Sequence, residues 1–323
     1  MKVFVTGGAG YIGSICVEYL LDEGHEVWVW DNLTEGHRKA VDSRAKFVEG
    51  DLANRDLLTS TLTKFRPEAI MHFAASALVG ESMLNPSKYF RNNVANGLNL
   101  LDAAVATEVK LFIFSSTCAT YGVPEKVPID ERTPQKPINP YGQSKLMFEQ
   151  ILQWYEKIHG LKHVNLRYFN AAGATEKFGE DHRIETHLIP NILKVALDQK
   201  EQLEVYGGNH LTPDGTCIRD YIHVHDLARA HALALQRKES ASYNVGTGEG
   251  YSVLQLIEIT RKITGHPISV LIKDPRPGDP PRLVASAQRL IKELGWKPEF
   301  AKPQAIIESA WKWHQNNPQG YKD

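Results

Sequence analysis

Residues 3–14, VFVTGGAGYIGS, join a short apolar run to four closely spaced glycines. The run Val3 to Thr6 predicts a β-strand, and CVEYLLDEG (residues 16–24) predicts a helix directly after the turn. Glycines at 7, 10 and 13 permit a tight turn and let the backbone approach a pyrophosphate, whose charge the helix N-terminus stabilises. The stretch therefore predicts a dinucleotide-binding unit at the start of the chain.

A carboxylate follows this turn at the spacing that such a unit requires. Asp31 ends the run VWVWD, 18 residues after Gly13. It can accept hydrogen bonds from the adenosine ribose hydroxyls and would repel a 2′-phosphate, so NAD is favoured over NADP. The alternative at this point is an ordinary tight turn in a flavodoxin-like or FAD-binding domain.

The rest of the first half repeats the alternation of strand and helix. Short apolar runs recur as VWVWDN, AKFVEGD, AIMHFAA, VKLFIFSST and VNLRYFN, with helical stretches after most of them. Strands that alternate with helices indicate βαβ units and a parallel sheet covered on both faces. We expect a doubly wound, Rossmann-like α/β domain over residues 1–175, completed by returning segments near 218–245, and a smaller C-terminal α/β domain over 176–323.

The composition and charge of the chain favour some classes of partner over others. The 323 residues include 42% hydrophobic ones, and 37 Lys and Arg balance 38 Asp and Glu, for a net charge of −1. Nothing here favours nucleic acid or an anionic membrane as partner. Three scattered cysteines and an N-terminus that enters a strand at once are typical of a cytoplasmic protein with reduced thiols.

A second motif, PYGQSK at residues 140–145, opens an amphipathic helix. Tyr141 and Lys145 then lie one turn apart. Lowering the pKa of a phenol from about 10 to neutral pH requires about 4 kcal/mol. An ammonium at about 4 Å supplies this in an effective dielectric of about 20. Tyr141 is thus a candidate general base, and the hydroxyls of Ser115, Ser116 and Thr117 in FSSTCATYG are candidates to hold the substrate oxygen.

The TGG opening, the GxxGxxG spacing and the distant YxxxK motif resemble the extended short-chain dehydrogenase/reductase family. The resemblance covers essentially the whole chain and assigns the catalytic roles to Tyr141, Lys145 and Thr117. It implies that NAD contacts Gly7, Gly10, Tyr11, Ile12, Gly13, Asp31, Asn32, Asp51, Leu52, Phe73, Ala74, Ala75, Asn92, Ser115, Tyr141, Lys145 and Tyr168.

Within that family, segments such as DNLTEGHRKAV, LRYFNAAGA, DGTCIRDYIHVHDLA and RPGDPP resemble the members that epimerise UDP-sugars at C4. The implied activity interconverts UDP-glucose and UDP-galactose through transient oxidation at C4 by tightly bound NAD. A homodimer is implied through the helices near residues 89–106 and 142–159. The implied substrate-binding residues are Thr117, Tyr141, Asn170, His187, Leu188, Tyr206, Arg219, Arg276, Asp279 and Leu283, of which the two arginines neutralise the diphosphate.

Leu283 bears on the choice of sugar. Members of the family carry either tyrosine or a smaller residue there, and leucine leaves room for an N-acetyl group, so we expect some activity on UDP-N-acetylglucosamine. A UDP-glucuronate 4-epimerase or another UDP-sugar-modifying member is the alternative enzyme. From another class, a non-catalytic NAD-sensing protein would have no need of the Tyr141, Lys145 and Thr117 set.

One histidine-rich stretch contains residue types that could bind a metal. His223 and His225 are predicted to alternate on one strand, with Asp226 and His231 nearby, as metal ligands do. Zinc has no task in hydride chemistry, so the stretch is interpreted as partly buried structural histidines. We predict no metal site.

Overall fold

The computed structural model describes residues 1–275 and 279–322. Its strands, in chain order, are β1 (Lys2–Thr6), β2 (Glu26–Asp31), β3 (Lys46–Glu49), β4 (Ala69–His72), β5 (Leu111–Thr117), β6 (Lys162–Tyr168), β7 (Asn170–Ala172), β8 (Leu203–Tyr206), β9 (Ile218–His223), β10 (Ala241–Val245), β11 (Gly250–Ser252), β12 (Val270–Lys273) and β13 (Arg282–Leu283).

The α-helices are α1 (Tyr11–Asp22), α2 (Arg55–Phe65), α3 (Val79–Leu84), α4 (Pro86–Tyr89), α5 (Asn96–Ala106), α6 (Pro140–His159), α7 (Leu188–Ala196), α8 (Val224–Ala234), α9 (Val253–Thr264), α10 (Gln288–Leu294) and α11 (Pro303–Asn316). A π-helical turn, Phe90–Ala95, leads into α5, and 3₁₀ turns occupy Arg38–Ala40 and Cys118–Tyr121. None of the helices in the described part of the chain has the length and apolarity needed to cross a bilayer.

Seven parallel strands form the central sheet, in the order β10-β6-β5-β4-β1-β2-β3. Its middle strands are buried along nearly their whole length, as expected for a sheet covered on both faces. One face packs on α1, α8 and α10, and the other on α2, α5 and α6. The predicted doubly wound parallel sheet is confirmed.

Strand β10 belongs to this sheet although it comes late in the chain. Residues Ala241 to Val245 pair in parallel with Val164 to Tyr168 of β6, and α8 packs against α1. Strand β9, which precedes α8, pairs instead with β7, β11 and β13 in a small mixed sheet. Strands β8 and β12 form a separate pair, and α7, α9 and α11 pack around a second apolar cluster. The domain boundary near residue 175 stays a prediction.

The strand order reverses between β1 and β4, because the chain runs outward from this point in both directions. In open parallel sheets, ligands bind in the crevice outside the carboxyl ends of the strands at such a reversal. The glycine turn follows β1 and the Phe73–Ala75 segment follows β4, so both meet at this crevice.

Candidate active site

The glycine turn is closed against the segment after β4. Gly7 has φ +75°, and a Cβ there would lie 2.5 Å from the Ala74 nitrogen. A Cβ on Gly13 would lie 2.1 Å from the Gly7 carbonyl oxygen. The amides of Phe73 and Ala74 both donate to the Thr6 carbonyl, at 2.9 and 3.1 Å. Only glycine fits at positions 7 and 13, and α1 begins at Tyr11 with its free amides at this turn.

Three polar side chains lie at or just after the ends of β2 and β3, beside the turn. Asp31 is 7% exposed, and its carboxylate accepts from the amides of Ala9 (3.0 Å) and Leu33 (2.9 Å). Burial raises the pKa of Asp31, against smaller lowering effects of these two hydrogen bonds. Asn32 donates to Asp51 at 2.7 Å, and Leu52 next to it is buried. A carboxylate at the end of β2 is thus available to ribose hydroxyls, as the sequence predicts for an NAD site.

The π-helical turn carries the next predicted cofactor residue. Asn92 donates to the Ser76 hydroxyl at 3.2 Å, beyond Ala75 on the segment after β4. Its neighbour Asn93, which the sequence analysis missed, is buried and ties three segments together by donating to the Ser76 carbonyl and to Ser144, both at 3.0 Å. π-helical turns often occur at functional sites, and this one fixes the start of α6 relative to β4.

Helix α6 brings Tyr141 and Lys145 to the end of β5. Asn139 caps the helix by accepting from the Gly142 amide at 2.8 Å, and Pro140 occupies its first turn. The Lys145 ammonium is 3% exposed, donates to the Ser115 carbonyl at 2.8 Å, and lies 6.0 Å from the centre of the Tyr141 ring. The two side chains therefore share one face of the helix at the sheet edge.

The end of β5 supplies three hydroxyl groups at the same place. Ser115 hydrogen-bonds to the Tyr168 phenol on β6, and Thr117 hydrogen-bonds to the Tyr141 phenol. The Thr117 hydroxyl also accepts from the Ala119 amide at 3.1 Å, which begins the 3₁₀ turn. Ser116 faces the other way, toward Glu149. The structure brings Thr117, Tyr141, Lys145, Ser115 and Tyr168 together.

The pKa values of Tyr141 and Lys145 differ from the sequence-based expectation. Burial raises the pKa of Tyr141 to about 12, against a smaller lowering effect of the bond to Thr117. Burial also lowers the pKa of Lys145 to about 7, partly offset by Glu149. Burial therefore outweighs the hydrogen bond from Thr117, and these contacts alone do not bring the pKa of Tyr141 down to neutral pH. A further positive charge beside the phenol, such as that of an oxidised nicotinamide ring, would favour the phenolate.

The predicted substrate residues lie on the other wall of the crevice. Arg219, on β9, is 11% exposed and forms an ion pair with Asp279. Burial raises the pKa of Cys118, the residue after Thr117, and the Arg219 guanidinium partly offsets this, so Arg219 lies near the end of β5. Leu283, on β13, is 8% exposed and packs with Cys118 and Phe169.

Four further predicted residues are more dispersed, and one cannot be placed. Asn170 begins β7 and is half-buried. His187 precedes α7, which begins at Leu188. Tyr206 ends β8 and donates to Glu204 at 2.9 Å. Arg276 lies outside the described residues.

Comparison with known proteins shows the family of this chain. The model of the NAD dependent epimerase/dehydratase family matches residues 3–246. The chain belongs to this family. It is 49% identical to the UDP-glucose 4-epimerase of Streptococcus mutans, over all of this chain and 99% of that one.

Two solved structures are similar over the whole length of this family member. A crystal structure of a UDP-glucose 4-epimerase has 48% identity and a TM-score of 0.97, with both chains fully covered. The UDP-glucose 4-epimerase of Bifidobacterium longum, in complex with NAD⁺ and UDP, has 38% identity and a TM-score of 0.95 over 99% of this chain and all of that one. The family predicted from the sequence is confirmed.

A buried ion pair lies behind Lys145 in this epimerase/dehydratase-family chain, and the sequence analysis did not predict it. Glu149, 1% exposed, pairs with Arg167 at 2.6 Å and accepts from Ser116. Tyr121 accepts from Arg167 at 2.9 Å, which extends the network to the 3₁₀ turn after Thr117. The spacing could have indicated it, because a glutamate four residues after Lys145 lies on the same helix face.

The interpretation of His223 and His225 on one strand is wrong. Strand β9 ends at His223, whose ring accepts from the His225 amide at 3.1 Å and caps α8. His225 therefore lies in the first turn of the helix. Asp226 accepts from the amides of Glu299 and Phe300, and His231 contacts the Leu227 carbonyl at 2.9 Å. These polar groups connect elements within the fold.

Proposed function

We propose that the protein interconverts UDP-glucose and UDP-galactose by transient oxidation at the sugar C4, with NAD bound throughout. The observation that carries the proposal is the meeting of Tyr141, Thr117 and Lys145 beside the glycine turn. The names of the Streptococcus mutans and Bifidobacterium longum relatives support the same activity. The two alternatives raised by the sequence are not favoured by these relatives.

The residues present fit NAD. The glycine turn offers backbone amides without Cβ atoms in the way, and Asp31 offers a buried carboxylate at the end of β2. Asn32, Asp51 and Leu52 would border the adenosine, and Ser115, Lys145 and Tyr168 the nicotinamide end. When bound, NAD supplies reversible acceptance of a hydride from the sugar C4.

Tyr141 and Thr117 handle the proton that accompanies this oxidation. Tyr141, as phenolate, removes the proton of the sugar 4-hydroxyl, and Thr117 holds that oxygen by a hydrogen bond. Lys145, held by the Ser115 carbonyl, stabilises the phenolate. After the 4-keto sugar presents its opposite face, Tyr141 returns the proton, so the protein ends in its starting protonation state and no net oxidation takes place.

The opposite wall would hold the nucleotide while the sugar turns. Arg219, together with Arg276, is assigned to the diphosphate, because guanidinium groups form paired hydrogen bonds with phosphate oxygens. Asp279 is assigned to the uridine ribose, Tyr206 to the uracil, and Asn170, His187 and Leu188 to the diphosphate and uridine. To bind the diphosphate, Arg219 must leave its ion pair with Asp279. A phosphate then replaces the carboxylate as the anionic partner of Arg219.

The test is conversion of UDP-galactose to UDP-glucose by the purified protein without added NAD. We expect turnover, and NAD should be released when the protein is denatured. A protein that retains NAD yet leaves UDP-galactose unchanged would overturn the proposal.

A second substrate follows from Leu283. Its side chain belongs to the same buried apolar cluster as Cys118, the residue after Thr117, and we infer that its size affects the space beside the reacting sugar. Leucine leaves room for an N-acetyl group, and we propose activity on UDP-N-acetylglucosamine as well. Leu283→Tyr should abolish turnover of that sugar and spare UDP-galactose. Strict rejection of UDP-N-acetylglucosamine by the unaltered protein, with good turnover of UDP-glucose, would remove the idea.

We also propose a cytoplasmic homodimer that associates through the helices near residues 89–106 and 142–159. Trp154 and Ile158 on α6 are 58% and 67% exposed, which supports an apolar contact there. The free, buried thiols of Cys16, Cys118 and Cys217 suit a reducing compartment.

Light scattering of the purified protein should give twice the chain mass. Trp154→Glu combined with Ile158→Glu should give the monomer, whereas Ile272→Glu on β12 should not. A wild-type monomer would contradict the proposed dimer. Recovery of the protein with the membrane or secreted fraction of its cells would contradict the proposed compartment.

A further inference from the structure

The Glu149–Arg167 ion pair lies behind the hydroxyl groups at the end of β5. Ser116 lies between Ser115 and Thr117 on this strand, and the register pairs it with Arg167 of β6. Adjacent residues of a strand point to opposite faces of the sheet, so the side chains of Ser116 and Arg167 point away from the crevice. On that opposite face, both donate to the Glu149 carboxylate of α6. The pair thus lies back to back with the proposed catalytic groups.

Several hydrogen bonds fix the carboxylate in one orientation. Glu149 is 1% exposed and accepts from Arg167 Nη2 at 2.6 Å and from Arg167 Nε at 3.0 and 3.2 Å. Gln135 donates to the same carboxylate at 3.2 Å. Arg167 is 6% exposed and also donates to the Tyr121 phenol at 2.9 Å. The position of the negative charge is therefore set by the surrounding elements of the fold.

Stability alone does not explain a buried pair of this kind. Taking both charges out of water is costly, and well-packed apolar residues of similar volume often stabilise a fold as well or better. The pair joins α6 to β5 and β6, the three elements that carry Lys145, Thr117 and Tyr168. Its location points to a role in the chemistry of the site.

Lys145 is the site residue that the carboxylate can act on along the helix. It lies four residues before Glu149, and side chains at this spacing are neighbours on one helix face. Burial lowers the pKa of the Lys145 ammonium to about 7, and the Glu149 carboxylate partly offsets this. Of the two partners in the ion pair, the carboxylate is thus the one whose charge acts on Lys145.

Other titratable groups face Lys145 and its neighbour Tyr141 from the surrounding elements. They are His72 of β4, Tyr89 of α4, Cys118 of the 3₁₀ turn, Tyr168 of β6 and, behind Glu149, Arg167. Burial lowers the pKa of His72 to about 3 and raises the pKa values of the two phenols and the thiol, so these four groups are neutral near pH 7. Within residues 1–275 and 279–322, the negative charge that faces Lys145 is therefore that of Glu149.

We propose that Glu149 is a positioning residue, which acts through Lys145 on the ionisation of Tyr141. This role rests on the proposed function, in which Tyr141 removes the proton of the sugar 4-hydroxyl. Once Lys145 and Tyr141 have lost one proton between them, the proton that remains lies either on the phenol, beside a neutral amine, or on the amine, beside a phenolate. A negative charge behind Lys145 favours the second arrangement, which is the one that can act as a base.

The test follows the ionisation of Tyr141 in the NAD-loaded protein by tyrosinate absorbance. Each protein is titrated with base, and the titration of the same protein carrying Tyr141→Phe is subtracted, so that the difference reports Tyr141 alone. In Glu149→Gln, we expect this ionisation about one pH unit or more above that of the wild type, because Lys145 loses its charge more readily. Glu156→Gln, on the same helix with its carboxylate on Lys162, is the matched control and should titrate as the wild type does.

Turnover should change in the same direction. Near pH 7, Glu149→Gln should lower the kcat for UDP-galactose about tenfold, which is the effect of one pH unit on the phenolate fraction, and should leave the KM within about twofold of the wild type. Glu149→Asp keeps the charge and should restore most of the kcat and of the Tyr141 titration. A merely structural role would make the two substitutions equally harmful, since both disturb the contacts of the pair.

An unchanged Tyr141 ionisation in Glu149→Gln would overturn the proposal. A shift to lower pH would also overturn it, because that is the sign expected if Glu149 acted directly on the phenol. Equal effects of Glu149→Asp and Glu149→Gln would do the same.

A second variant covers the case in which Glu149→Gln misfolds because Arg167 is left unpaired. Glu149→Gln combined with Arg167→Met removes both charges and should show the same shift, whereas a wild-type titration of this variant would overturn the proposal. The titration does not depend on turnover. The expected shift in a protein that leaves UDP-galactose unchanged would count against the proposed epimerase activity alone, and full turnover with an unshifted titration would count against the role of Glu149 alone.

Discussion

The two walls of the crevice hold their cations in different ways. Lys145, on the wall built by the parallel sheet, is 3% exposed and is fixed by a backbone carbonyl. Arg219, on the wall built after residue 175, has a side chain that is 11% exposed; one of its nitrogens donates to the neighbouring Ile218 carbonyl at 2.8 Å, and another pairs with the Asp279 carboxylate. A backbone carbonyl does not move away when a ligand arrives, whereas a carboxylate can be replaced by a phosphate. The first wall is therefore preset for proton transfer, and the second is built to exchange partners.

Removing the phenol should have the largest effect. Tyr141→Phe should lower conversion of UDP-galactose by on the order of 10²–10⁴-fold, because the general base is lost. NAD bound per chain should not change, since the glycine turn is intact. Tyr155→Phe, on the same helix with its hydroxyl on Asp102, is the control and should keep full activity. Turnover of Tyr141→Phe within tenfold of the wild type would show that the first wall does not supply the base.

Removing the cation of the second wall should affect binding instead. Arg219→Met should raise the KM for UDP-galactose by about 10- to 100-fold, since a hydrogen bond to a charged group contributes about 1.5–3 kcal/mol. The kcat should fall much less, and Arg261→Met on α9 should change neither constant. A fall in kcat at constant KM would mean that this arginine acts on the reacting sugar, and the contrast between the walls would be lost.

The rigidity of the first wall can be tested at its glycines. Gly7 and Gly24 have nearly equal φ, +75° and +78°, but only Gly7 has neighbours within 4 Å of an added Cβ. Gly24→Ala should lower the free energy of unfolding by about 1–2 kcal/mol for the backbone conformation alone. Gly7→Ala should lower it further and release NAD, because its Cβ meets the backbone of Ala74. If denaturant titrations gave the same loss in free energy of unfolding for both variants, the turn would be able to accommodate a Cβ at position 7.

The most gradual effect, spread over several pH units, concerns acid stability. Burial lowers the pKa of His72 under the first wall to about 3 and that of His231 in α8 to about 4. Both are neutral when folded, whereas the unfolded chain takes up protons below about pH 6.5. The free energy of unfolding should therefore fall as the pH drops from 6.5 toward 4.

Urea titrations at several pH values should show this slope, with at most about 1.4 kcal/mol per pH unit from each histidine. His231→Gln should remove one such contribution, and His159→Gln, at an exposed position, should leave the slope unchanged. A slope that persists fully in His231→Gln would assign the acid sensitivity to other groups.

The sequence predicted the first wall better than the second. The glycine turn, Asp31 and the Tyr141 helix are local motifs attached to regular strands and helices, so their spacing alone places them at one sheet edge. Arg219 and Asp279 meet across 60 residues, through short strands whose pairing no local period specifies. The resemblance to a family, rather than periodicity, pointed to them.

Other features could not be predicted because they depend on burial. The change from strand to helix at His223 depends on its ring, which caps α8, and an alternating sequence pattern does not indicate this cap. The shifted pKa values of Tyr141 and Lys145 follow from desolvation, which a helical spacing does not report. Glu180 and Glu185 precede α7 in a loop, yet their side chains are only 5% and 4% exposed, which no local sequence pattern indicates.

The late arrival of β10 has a consequence for synthesis on the ribosome. Until residue 245 has emerged, β6 is an unpaired sheet edge, with its amides and carbonyls open to strands of other chains. A nascent chain of 175 residues holds every catalytic group proposed here, yet its sheet is incomplete. Such a fragment should aggregate unless a chaperone covers that edge, so the sheet that holds the cofactor is complete only after translation has passed residue 245.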